Sequence, residues 1–129
     1  MNVSGTDFVA IPTQDFAAAE RFYGDTLGLT RSKHWGELPA REFETGSLTL
    51  ALMQMDAFGQ AFSPNAAPIA LHVDDVHAAR EELEAKGVEF ADTLDSGVCH
   101  MAIFRDPDGN ALMLHNRYAP PDAKPGDDV

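Results

Sequence analysis

Residues 106–110, Asp106-Pro107-Asp108-Gly109-Asn110, stand between two apolar runs, Val98 to Phe104 and Ala111 to His115. Proline at 107 fixes φ near about −65°, the Asp and Asn side chains can hydrogen-bond nearby backbone, and glycine at 109 supplies a positive φ. Period-2 runs on either side of such a cluster predict a β-hairpin. That hairpin sets the register of the last two strands, and with it the side chains that share a face.

Working outward, Asp7 to Thr13 reads as a short strand with Pro12 at its edge or end. Asp15 then N-caps a helix with Phe16, Ala19, Phe22, Tyr23 and Leu27 on one face, closed by Gly28. Residues 31–47 are mixed and suggest one or two strands joined by a loop, Leu48 to Met53 alternates as a strand, and Gln54 to Pro68 reads as a loop. Ile69 to Val73 is the next strand. Asp74-Asp75 caps a second helix with Val76, Ala79 and Leu83 inward, ending at Gly87. Val88 to Phe90 and Val98 to Phe104 are further strands, and the Pro-rich, charged stretch 119–129 is expected to be a disordered tail.

The order strand–helix–strands thus occurs twice. Asp15-Phe16 matches Asp75-Val76, and Ala18-Ala19 matches Ala78-Ala79, each 60 residues on; Gly28-Leu29 matches Gly87-Val88 at 59. The expected organisation is a single domain over 1–118, with module one at about 6–56 and module two at about 67–117.

Bulk properties bound the function. The chain has 129 residues, 44% hydrophobic, and a formal net charge of −12, which lacks the footprint of a nucleic-acid or anionic-membrane binder. One cysteine excludes an intramolecular disulfide and a Cys-based zinc knuckle. With no bilayer-length apolar run and no signal pattern, the expectation is a soluble cytoplasmic protein.

Alternation along the strands sorts two faces. Val9, Ile11, Leu48, Leu50, Leu52, Ile69, Leu71, Val73, Met101, Ile103, Leu112 and Leu114 form an aliphatic parity expected beneath the helices. The opposite parity holds Phe8, Ala10, Pro12, Thr49, Ala51, Met53, Pro68, Ala70, His72, His100, Ala102, Phe104, Met113 and His115. Small residues that leave room, beside imidazoles that can bond or ionise, suit a binding cavity.

Three motifs in this order resemble the vicinal oxygen chelate superfamily, which holds glyoxalase I, bleomycin-resistance proteins and extradiol dioxygenases. They are Asp15…Phe22-Tyr23…Leu27-Gly28-Leu29, the run Ile69-Ala70-Leu71-His72-Val73-Asp74-Asp75-Val76, and Phe104-Arg105 followed by the opening turn. The resemblance spans roughly residues 6–116 and implies an α+β fold of two βαβββ modules whose curved mixed sheets enclose a small-molecule cavity. In smaller members two chains often complete it, so a homodimer is expected. Many members bind a divalent metal at four sheet positions. On alignment these fall at Phe8, Pro68, Met113 and, less directly, near Ala51, none of which offers oxygen or imidazole. The resemblance therefore does not carry over metal-dependent glyoxalase or dioxygenase chemistry.

The expectation is a small-molecule binding protein without a cofactor, sequestering an apolar or aromatic compound. Candidate ligand contacts are Phe8, Met53, Phe104 and Met113 as apolar lining, Trp35 in the first module's variable region, and His72, His100 and His115 as orienting groups. The alternative is a lyase, isomerase or dioxygenase, either by histidine acid–base chemistry or with a divalent metal at His72, His100 and His115.

Overall fold

The computed structural model describes residues 1–122; residues 123–129, most of the expected tail, lie outside that range. The elements run β1 (Val9–Thr13), α1 (Phe16–Arg21), β2 (Thr30–His34), β3 (Ala40–Glu44), β4 (Thr49–Gln54), β5 (Ile69–His72), α2 (Val76–Ala85), β6 (Leu94–Asp95), β7 (Cys99–Arg105) and β8 (Ala111–Arg117). They form two mixed four-stranded sheets, ordered β1-β4-β3-β2 and β5-β8-β7-β6. In each, the first strand runs parallel to the last and the remaining pairs are antiparallel. This is the expected duplication of one βαβββ pattern.

Chain contacts divide the molecule into one unit of Met1–Asn65 with Asp106–Asn110, and another of Ala66–Arg105 with the chain from Ala111 on. In the first unit, Asp15 caps α1 by accepting from the Ala18 amide. The helix expected to reach Gly28 instead widens into a π-type turn over Phe22–Thr26, with the Leu27 amide on the Phe22 carbonyl. Within that turn, the Arg31 guanidinium of β2, paired with Glu20 and Asp25, occupies the space where a side chain at Gly24 would stand. Burial of Ile11, Leu50, Leu52 and Phe43 follows on the sheet face that α1 covers, and the Tyr23 and Phe43 rings meet at 6.0 Å.

The turn at 106–110 belongs to this unit. Asp106 accepts from the amides of Asp108 and Asn110, both at 2.9 Å, from the Asn110 side chain at 2.8 Å, and from the Tyr23 hydroxyl at 2.6 Å. Asn110 donates to the Pro12 carbonyl and accepts from the Asn65 amide, each at 2.8 Å, and Asp108 accepts from the Thr13 hydroxyl and Gln14 amide. A hairpin turn read for its local chemistry therefore also satisfies groups on β1 and on the π-type turn after α1.

In the second unit, Asp75 caps α2 through the Ala78 amide. That helix lays Val76 and Leu83 over β7 and β8, against Ala102, Phe104, Leu112 and Leu114. Val88 to Phe90, expected as a strand, makes only a single bridge, Phe90 to Phe104, and the short β6 replaces it as the sheet's last strand.

Candidate functional site

Register settles which residues share the helix-free face of each sheet, because directly paired residues point the same way. On the first sheet, Pro12 pairs with Met53, Ala10 with Ala51, Ala51 with Glu42, and Thr49 with Glu44. Four small or short side chains thus floor a face that carries two carboxylates on alternate residues of β3. Trp35, in the turn after β2, reaches back to donate its indole Nε1–H to Glu42 Oε2 at 2.7 Å. Phe8 stands edge-on to Trp35 at 5.4 Å and 68°, and Phe58 does so at 6.1 Å and 87°. Phe8 is 39% exposed, while Trp35, Met53 and Phe58 are half-buried.

Glu44 accepts from the Ser32 and Thr49 hydroxyls, which, with the nearby Lys33 charge, hold its carboxyl below the ordinary glutamate value. It also borders a shallow recess of about 380 Å³ lined by Thr6, Asp7 and the 46–49 turn. Arg41 points to the opposite, helix-covered face, in register with Leu52, and its buried Nε has no hydrogen-bond partner among the described residues.

On the second sheet the helix-free face holds Ala70 beside Met113 and His72 beside His115, with Ile103 paired to Met113 and Met101 to His115. The His72 side chain is 71% exposed, with Nε2 3.3 Å from Asp74.

Two expectations need correcting. Strand parity grouped His100, Ala102 and Phe104 with His115 and Met113, but β7 pairs with β8 one residue out of that phase. Ala102 and Phe104 are 0% and 2% exposed on the α2 side, Phe104 against Phe90 at 5.0 Å. Both faces of β7 are apolar, so aliphatic character alone could not choose between them. His100 consequently lies apart from His72 and His115. It sits between His77 of α2 at 5.2 Å and Tyr118 at 4.5 Å, with Asp95 Oδ2 3.4 Å from its Nε2. The three histidines do not converge, and among the described residues no three His, Cys, Asp or Glu side chains gather where a metal ion could be held.

The second correction concerns charge. The strands read as cavity walls carried no carboxylate, whereas Glu42 and Glu44 face the same way as Ala51. The alternation Ala40-Arg41-Glu42-Phe43-Glu44, with Phe43 buried, was the available signal. Phe58, in the short 3₁₀ turn Met55–Phe58, had none beyond its being aromatic.

The metal positions implied by the resemblance hold Phe8 against Trp35, Ala51 fully buried, Pro68 and Met113. Such side chains do not fit a divalent ion that prefers oxygen or imidazole.

A family model described as Glyoxalase/Bleomycin resistance protein/Dioxygenase superfamily matches residues 5–114. Among solved structures, a lactoylglutathione lyase from Agrobacterium tumefaciens is 21% identical with a TM-score of 0.74, over 88% of this chain and 94% of that one. TnmS3, an antibiotic binding protein from Streptomyces sp. CB03234, is 24% identical with a TM-score of 0.75, over 91% and 98%. A glyoxalase/bleomycin resistance protein/dioxygenase from Nocardioides is 23% identical with a TM-score of 0.73, over 98% and 91%. At these identities the likeness is one of fold. No curated protein matches the sequence. On the match over residues 5–114, the chain belongs to the glyoxalase/bleomycin resistance protein/dioxygenase superfamily.

Proposed function

We propose that this protein binds a small apolar or aromatic molecule without a metal, on the helix-free face of the first sheet, and sequesters it rather than transforming it. One observation carries the reading. Trp35 is pinned by Glu42 and flanked edge-on by Phe8 and Phe58 over a floor of small side chains. Large rings held by neighbours present apolar area at little cost in conformational freedom, which is what a preformed site requires. Met53 lines the same face. On the second sheet's own helix-free face, Met113, His115 and exposed His72 are proposed as a separate contact surface.

An antibiotic binding protein among the fold relatives supports sequestration as a use of this scaffold. The same reading takes the protein as a cytoplasmic homodimer. Half-buried Met101 and Ile103 and exposed Leu94 on the second sheet offer apolar surface to a second copy, and no helix among the described residues is long and apolar enough to cross a membrane.

Trp35 is the sole tryptophan, so its fluorescence reports the site directly. Titration with a panel of apolar and aromatic compounds is expected to give saturable changes that Phe8→Ala and Phe58→Ala weaken. No saturable change across the panel would overturn the proposal. So would stoichiometric zinc, iron, manganese or nickel in protein purified without added metal and lost on His72→Ala or His115→Ala.

A further inference from the structure

We propose that the ligand presents an alkylated ammonium group to the Trp35–Glu42 pair, a deepening that rests on the binding function proposed above. Three observations lead there. Phe8 and Phe58 each meet Trp35 edge-on, so three rings whose faces carry negative quadrupole potential gather beside Glu42. Glu42 gives one oxygen to the indole, while its Oε1 has no hydrogen-bond partner among the described residues. Glu44, two residues along β3 on the same face, accepts from the Ser32 and Thr49 hydroxyls and adds a second negative charge.

The physics separates ligand classes. A neutral aromatic ligand covering this face would strip water from Glu42 Oε1 and give nothing back, which costs free energy. An anion would meet two carboxylates. A primary ammonium is strongly hydrated and brings three donors that ring faces do not satisfy. An ammonium with its hydrogens replaced by alkyl groups needs few acceptors, is attracted by ring faces, and compensates the Glu42 charge. Of the basic neighbours, Arg41 lies on the other face of the sheet, and Lys33 offsets part of the Glu44 charge, which leaves Glu42 as the carboxylate that meets the cation.

The test uses the full chain and two probes of equal shape, phenyltrimethylammonium and its uncharged isostere tert-butylbenzene. Binding is read by Trp35 fluorescence and by calorimetry. The cation is expected to bind about tenfold more tightly than the isostere. Glu42→Gln is expected to erase that preference by weakening the cation about tenfold, leaving the isostere within about twofold. Equal or tighter binding of the isostere by the unaltered protein would overturn the ammonium inference and leave apolar binding standing. A preference for the cation that survives Glu42→Gln would overturn the role given to the carboxylate. Saturable binding of neither probe would overturn both readings. The comparison on the unaltered chain needs no variant to fold.

Discussion

The Tyr23 hydroxyl donates to Asp106 Oδ2 at 2.6 Å, joining residues 83 apart in sequence in a buried bond. Burial first, and then the negative charge of Asp106, hold the Tyr23 hydroxyl far above the ordinary tyrosine value of 10.0. In the unfolded chain the hydroxyl ionises near that ordinary value, so above it the unfolded state binds fewer protons than the native one. The stabilisation is fully present below pH 10 and is lost as pH rises beyond it. Urea unfolding from pH 8 to 11 is expected to show a falling stability that is smaller in Tyr23→Phe. At neutral pH the same variant leaves Asp106 short of a donor, at a cost of about 1–3 kcal/mol.

Asp15 and Asp75 hold corresponding positions in the two repeats and cap their helices the same way. Alanine at either is expected to destabilise by about 0.5–2 kcal/mol, measured by urea unfolding. Asparagine should recover most of the loss, because its side-chain oxygen can accept the same amide hydrogen.

Gly109 has φ of 91° within the turn, a conformation that side chains oppose, although its nearest neighbour, Pro64 Cβ, would be 3.9 Å from an added Cβ. Gly109→Ala is therefore a test of backbone strain rather than of crowding. A cost of about 1–2 kcal/mol is expected by thermal unfolding, against no measurable cost for Gly5→Ala, where nothing lies within 4 Å.

Removing a ring from the Trp35 cluster separates stability from emission. Phe58→Ala is expected to cost about 0.5–1.5 kcal/mol for the lost ring pair, beyond its buried area. It should also shift Trp35 emission to the red as water reaches the indole. Tyr118→Ala, which opens the His100 stack in the second unit, should leave that emission unchanged.

How far the sequence reached follows from which forces were local. Turn and cap chemistry is written in neighbouring residues, so the 106–110 turn, both caps and the repeated βαβββ order were legible. The π-type turn at Phe22–Thr26 was not, because the group packed against its Gly24, the Arg31 guanidinium, comes from β2 and is not written in the helix's own residues. Phe8 and Met53 were legible on the first sheet's helix-free face, because alternation there has one plainly aliphatic parity, whereas Trp35, in the turn after β2, has no parity to read. On β7 both parities are apolar, and His100 and Phe104 were assigned to the wrong side. Glu42 was not legible because charged Arg41, not an apolar residue, shares the helix-covered face with Phe43, so Ala40–Glu44 does not read as apolar against polar.

The place of residues 106–110 in the first unit has a consequence for the order of synthesis. Translation delivers that turn only after all of residues 66–105. A nascent chain ending at Asn65 therefore carries the Tyr23 hydroxyl, the Pro12 carbonyl and the Asn65 amide without the groups that later bond them. The first repeat cannot finish folding as it emerges, and the two repeats, alike in pattern, are not interchangeable cassettes. The second lends the first the five residues of its hairpin turn.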